Sequence, residues 1–220
     1  MTPIRNLLFL VFGFIAASVS GQKKPIPVDL YSLAQSHQLQ PVGREPTAFS
    51  EQGKKGVRFL EKENDGLVWM NGFTFGNGTI ELDIKGRDVP QKSFVGVAFH
   101  GEDDRTMDIV YFRPFNFQST DPVRKIHAVQ YVSAPDFGWE RLRKEENGKY
   151  EKAIEPAPSG KEWFHAKIVV HFPHVDVYVN GNQQASLSVD KLNERKTGKI
   201  GLWVGPSSDG DFANLTIARQ

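Results

Sequence analysis

Residues 163–181 read WFHAKIVVHFPHVDVYVNG. Phe164, Ala166, Ile168, Val170 and Phe172 alternate with Trp163, His165, Lys167 and His171; beyond Pro173, Val175, Val177 and Val179 alternate with Asp176, Tyr178 and Asn180. Successive side chains of a strand point to opposite faces, so this period of two describes two strands, each with one buried and one wetted face. Asn180, Gly181 and Asn182 tolerate positive φ, and a further alternating run, ASLSV, follows at 185–189. The stretch 174–189 is therefore predicted to be a hairpin.

The same pattern extends outward. In GTIELDIKG (78–86), Ile80, Leu82 and Ile84 fall on one face while Glu81, Asp83 and Lys85 fall on the other. SFVGVAFHG (93–101) is apolar on both faces, which predicts a place in the middle of a sheet. Further runs are GVRFL (56–60), GLVWM (66–70), MDIVYFR (107–113), HAVQYV (127–132), KIGLWVG (199–205) and FANLTIA (212–218). About eleven such runs, separated by Gly, Asn, Asp and Pro, predict an all-β sandwich or barrel. The one helix candidate, GWERLRKEENGKYEK (138–152), has charges that suit an exposed loop equally well.

The chain has 220 residues, and its start reads as a signal peptide over 1–21: Arg5, the apolar LLFLVFGFIAA (7–17), then SVS before Gly21. The apolar run is too short to span a bilayer. Residues 22–44 read as a polar lead-in with scattered prolines, an extended arm that joins the sheet late, and 45–220 as one domain. The expected location is the periplasm or exterior of a bacterial cell. Lys plus Arg number 27 against 26 Asp plus Glu, and removal of Arg5 makes the two equal. That balance gives no support for a nucleic-acid partner or for an acidic membrane surface. The chain has no cysteine, which excludes disulfides, thiolate metal sites and a lipid anchor on cysteine.

The segment 163–217, from WFHAKIVVHF through VDVYVNG to GKIGLWVG and FANLTI, resembles the late strands of concanavalin A-like lectin/glucanase domains, which include laminin G-like modules and family 16 glycoside hydrolases. The middle of the chain, with FGNGTIELDIKG, SFVGVAFHG and DIVYFRPFNF, is similar to 3-keto-disaccharide hydrolase-like domains. The likeness covers roughly residues 45 to 217. It implies a two-sheet antiparallel jelly-roll sandwich, and it implies carbohydrate as a partner. One such fold hosts lectins, hydrolases and adhesion modules, so activity has to be argued from side chains.

A retaining glycosidase needs two carboxylates flanking the bond. Family 16 enzymes carry Glu-x-Asp-x-x-Glu; here Glu81 and Asp83 fit, but Gly86 stands where the second Glu belongs. Glu81, Asp83 and His100 are the candidate acids or bases of a hydrolase or lyase, with no complete catalytic motif among them. Asp103, Asp104 and Asp108 gather in one loop region, where hard oxygen ligands would suit Ca²⁺. No other cofactor is expected.

The run VYFRPFNF (110–117) places a charge among aromatics. Pro114 cannot donate to a ladder, so the strand is predicted to end near Arg113, on the face of Ile109 and Tyr111. Downstream lie Gln130 and Tyr131 in HAVQYV, then Trp139, Arg141 and Arg143. Guanidinium forks, a carboxamide and flat rings together suit a sugar groove, and Arg113, Gln130, Tyr131, Trp139 and Arg143 are the predicted ligand-binding set. The same groups would also serve a buried network, with Arg113 paired to Asp108 or Glu81. Trp163 and Trp203 are read as packing residues at sheet margins.

Overall fold

In the computed structural model of the protein, residues 24–220 are described; the expected signal peptide, 1–21, lies outside them. The elements in chain order are β1 (Ile26–Val28), α1 (Leu30–Gln35), β2 (Leu39–Val42), β3 (Thr47–Glu51), β4 (Lys54–Lys62), β5 (Gly66–Phe75), β6 (Gly78–Lys85), β7 (Val95–Gly101) and β8 (Met107–Phe112). They continue with α2 (Pro122–Lys125), β9 (Val129–Ala134), α3 (Trp139–Glu145), β10 (Glu151–Lys152), β11 (Phe164–His171), β12 (His174–Val179), β13 (Leu187–Asp190), β14 (Gly198–Val204) and β15 (Ser208–Arg219).

Two antiparallel sheets result. Sheet one runs β13-β12-β11-β6-β15-β4-β3, with β1 also on β15; sheet two runs β10-β9-β8-β7-β14-β5-β2. The fold is the jelly-roll sandwich the sequence predicts. In sheet one, Phe164 pairs with Ile84 and Ala166 with Leu82, and the inward residues Ile80, Leu82, Ile84, Ile168 and Val170 are fully buried. The predicted hairpin is β12 and β13, and its turn holds Asn180 at φ 52° and Gly181 at φ 71°. SFVGVAFHG supplies β7, in the middle of sheet two.

The sheets close on aromatic side chains. Phe112 of sheet two meets Phe164 of sheet one edge-on at 5.0 Å, and Phe117 meets the same ring at 5.2 Å. Full burial of each such side chain stabilises the sandwich by about 1.5–3 kcal/mol.

The lead-in is more integrated than a polar arm. β1 pairs with β15 and β2 with β5, so residues before 45 contribute to both sheets. Pro27 and Pro41 fit because β1 and β2 lie at the margins of the pairing, where a missing N–H leaves no ladder partner stranded. The helix candidate is α3 over its first half and becomes the short strand β10 at its end.

Candidate functional site

The face of sheet two that turns away from the core carries the site. There the strand register sets five residues in a row: Trp203 opposite Gly96, Gly96 opposite Tyr111, Tyr111 opposite Gln130, and Gln130 opposite Glu151. Alternation turns their neighbours Val110, Phe112, Val129 and Tyr131 into the sandwich. Gly96 is required in this row, because a Cβ there would lie 2.6 Å from both Cα and Cβ of Tyr111. The rings of Tyr111 and Trp203, its two cross-strand partners, lie 5.2 Å apart.

Pro114 ends β8 as predicted, and the backbone enters a short 3₁₀ turn over Pro114–Asn116. Arg113 is thereby left at the strand end, 5% exposed, beside the row. Its Nη2 donates to the Tyr111 hydroxyl at 2.7 Å and to Gln130 Oε1; its Nη1 donates to the His127 carbonyl at 3.1 Å. The Tyr111 hydroxyl also donates to Gln130 Oε1, at 2.8 Å. The carboxylate partner of Arg113 is neither Asp108 nor Glu81 but Glu151, 3.7 Å away. Arg143 clamps the same carboxylate in a two-pronged pair at 2.9 and 2.8 Å, and His127 Nε2 lies 3.4 Å from it. Glu151 is the hub of the network, though β10 is only two residues long.

Above this floor opens a cleft of about 620 Å³, within the range of small-molecule sites. Arg113, Tyr111, Asn116, Arg124, His127 and Arg143 line it together with Phe94, Trp139, Trp203 and Asp65. Trp139 opens α3 and is 45% exposed, with the Arg143 guanidinium over its ring at 5.0 Å. Arg113 lies over the Tyr111 ring at 4.8 Å and the Phe94 ring at 5.7 Å. The cleft thus combines planar apolar walls with a cationic, hydrogen-bonded floor.

Burial shapes its titration. It pushes the Tyr111 phenol up to about 12, so the hydroxyl stays a donor at neutral pH. It draws the Arg113 guanidinium below its ordinary value, opposed by Tyr111 and Glu151. It also lowers the His127 imidazole, against the pull of Glu151 and with the repulsion of Arg143 and Arg113. A neutral imidazole at the cleft wall is able to accept a proton.

Of the predicted ligand-binding residues, Arg113, Trp139 and Arg143 meet in the cleft and Gln130 lies in the network beneath it. Tyr131 does not join them. It is one residue out of phase with Gln130, so it points into the sandwich and its hydroxyl donates to Asp108. Glu81 and Asp83 project from the outer face of sheet one, the other side of the molecule, where His165, Lys54 and Asn214 hold Asp83 at 2.9, 2.6 and 2.7 Å. They share no site with Arg113. His100 is fully buried, bonded to Lys191 Nζ and the Gly76 carbonyl.

The three loop aspartates also have separate occupations. Asp103 accepts the backbone N–H groups of Arg105 and Thr106, Asp104 accepts Trp69 Nε1 at 2.8 Å, and Asp108 is buried against Lys191 at 3.0 Å. They do not converge, and among the described residues no group of three or more His, Asp or Glu side chains is placed to hold a metal ion. Also among the described residues, no helix is long and apolar enough to cross a membrane.

Several cleft residues escape the sequence reading. Trp203, read as packing, forms a wall of the cleft, and His127, Glu151 and Phe94 carry no sequence signal of their own. Trp203 occupies an outward position in KIGLWVG, since Leu202 and Val204 on either side are buried; that alternation was the available signal.

A family model described as the 3-keto-alpha-glucoside-1,2-lyase-like domain matches residues 40–218. No curated protein matches the chain. Among solved structures, a Bacillus subtilis protein with a galectin-like fold aligns with a TM-score of 0.62 at 12% identity, covering 91% of this chain and 99% of that one. Carbohydrate-binding module CBM66 from Bacillus subtilis aligns with a TM-score of 0.56 at 15% identity, covering 81% and 93%. A glycosidic hydrolase aligns with a TM-score of 0.56 at 14% identity, covering 89% and 95%. At these identities the likeness establishes the shared fold.

Proposed function

Because the chain belongs to the 3-keto-alpha-glucoside-1,2-lyase-like domain family, we propose that the cleft on the outer face of sheet two binds a carbohydrate. The observation that carries this reading is the meeting of Trp139, Trp203 and Phe94 with the Arg113–Tyr111–Gln130–Glu151–Arg143 network in one cleft of about 620 Å³. A pyranose has apolar ring faces and a polar rim. The rings accept the former by stacking, and fixed donors orient the latter. Two neighbours by fold are a carbohydrate-binding module and a glycosidic hydrolase, which agrees with the same use of the scaffold. The signal-like segment 1–21 supports export to the periplasm or cell exterior, where glycans are met.

The test is calorimetric titration of glucosides and their 3-keto forms into the wild type and Trp139→Ala. The expected result is binding that weakens by about ten- to a hundredfold in the variant, the scale of a buried aromatic contact, with little change in melting temperature because Trp139 is 45% exposed. Unaltered affinity in Trp139→Ala would remove the cleft from the binding site.

His127 supports a second reading, in which the bound sugar is processed. A 1,2-lyase acting on a 3-keto glycoside removes the C2 proton, made acidic by the neighbouring carbonyl; the electron pair then forms the C1=C2 bond of an enone as the C1–O bond breaks, and the proton taken from C2 passes to the departing oxygen, which leaves as an alcohol. Such a step needs a neutral base and a cation for the developing enolate, roles that His127 and Arg113 would fill. Release of aglycone from a 3-keto glucoside by the wild type, lost in His127→Gln with binding retained, is the expected result. Binding without release in the wild type would return the protein to the class of binders.

A further inference from the structure

The donor and acceptor inventory of the cleft is unbalanced. Three guanidinium groups, Arg113, Arg124 and Arg143, line it, against one carboxylate, Asp65. Each guanidinium has five N–H donors and no acceptor. Glu151, in the floor, takes Nε and Nη2 of Arg143 and lies 3.7 Å from Arg113, so one carboxylate serves two cations. The Nη1 group of Arg143 has no partner among the described residues. Arg124 has an exposed ion pair to Asp121 at 3.7 Å, longer than a hydrogen bond. In the same network the amide nitrogen of Gln130, fully buried, has no acceptor among the described residues.

A sugar hydroxyl donates as well as accepts, so a neutral polyol leaves this donor surplus unmatched. A carboxylate is acceptor-only and fits a guanidinium fork with two parallel bonds. The surplus is one of donors and not of net charge, since Glu151 and Asp121 already lie within ion-pair reach of the three guanidiniums. Its position is also specific: Arg143 lies over the Trp139 ring at 5.0 Å, so the cation and the aromatic wall adjoin in the same part of the cleft.

We propose, building on the carbohydrate reading of the cleft, that its ligand is an acidic glycoside whose carboxylate is received by Arg143 and Arg124 while the sugar ring packs on the aromatic wall. Sulfate and phosphate esters of sugars share the acceptor-only chemistry, and the experiment separates them from a uronate.

The probes are methyl α-glucoside, methyl α-glucuronide, and the 6-sulfate and 6-phosphate of methyl α-glucoside, each in plain and 3-keto form, titrated into the whole protein. The glucuronide is expected to bind about tenfold tighter than the neutral glucoside at low ionic strength, an advantage that shrinks as salt screens the pair. Arg124→Gln changes an exposed side chain and leaves the fold intact; it is expected to reduce the acidic-over-neutral ratio several-fold. Tighter binding of the sulfate or phosphate ester than of the glucuronide would overturn the carboxylate assignment. Equal affinity for neutral and acidic forms would overturn the inference and leave the carbohydrate reading standing. Binding of none of these sugars would overturn that reading and this inference together.

Discussion

Each outer face of the sandwich carries a histidine beside a carboxylate, and the two pairs behave oppositely. On sheet two, His127 lies 3.4 Å from Glu151, with side chains 13% and 2% exposed. On sheet one, His165 lies 2.9 Å from Asp83 and 3.3 Å from Glu81, and is itself 38% exposed. The His127 imidazole is held below its ordinary value because burial dominates and because Arg143 and Arg113 oppose a further positive charge. The His165 imidazole is raised, first by its hydrogen bond to Asp83 and then by Glu81. The residue types are the same, and burial and the surrounding charges decide the outcome. A histidine held toward its neutral form in a cationic cleft is equipped for a ligand, whereas one held toward its charged form between two carboxylates ties surface strands together.

The largest test of this contrast is Glu151→Ala. Removing a buried carboxylate strands Arg113 and Arg143 around an empty centre, which is expected to cost about 3–5 kcal/mol. Urea denaturation measures it. A cost under about 1 kcal/mol would mean that the hub contributes no more than the surface pairs of sheet one. Next in size is Tyr131→Phe. The lost hydroxyl donates to Asp108 and accepts the Leu192 N–H at 3.3 Å. Leaving Asp108 short of a donor is expected to cost about 1–3 kcal/mol, with sugar affinity unchanged because the side chain faces the core. Weakened binding in this variant at undiminished stability would put Tyr131 back among ligand contacts.

Legibility in the sequence follows the length of the pattern. In sheet one, β6, β11 and β12 alternate without interruption, so Ile80, Leu82 and Ile84 and their partners on β11 and β12 are readable from period alone. The strand end at Arg113 is readable because proline removes a specific donor. Gln130 and Tyr131 expose the limit: both lie in a strand buried on both faces, where apolar content says nothing about which neighbour points outward. Glu151 is further out of reach, since a two-residue strand has no period and its partners Arg113 and Arg143 are 38 and 8 positions away. Glu81 and Asp83 were legible as outward-facing, but alternation within one strand gives no information on which sheet's outer face carries a cleft.

The smallest effect discriminates most finely. For His165, the folded imidazole has a raised pKa, so the stability it contributes is fully present below its ordinary value of 6.5 and is lost as pH rises through the raised one. For Asp83, burial pushes the carboxyl up but the hydrogen bonds from His165, Lys54 and Asn214 outweigh it; the lowered pKa stabilises above the ordinary value of 3.8 and that gain is lost on acidification. Both contributions overlap between those limits, so His165→Asn is expected to lower stability by about 0.5 kcal/mol near pH 5.5, after allowance for exposure, and by less near pH 9. His127 carries the opposite sign. Its lowered pKa means that protonation favours the unfolded chain, so it removes stability as pH falls below 6.5. Thermal unfolding of His165→Asn and His127→Asn across pH 5 to 9 should therefore give difference curves of opposite slope. Parallel slopes would show that the two histidine–carboxylate pairs are electrostatically alike, and would remove the neutral base from the cleft.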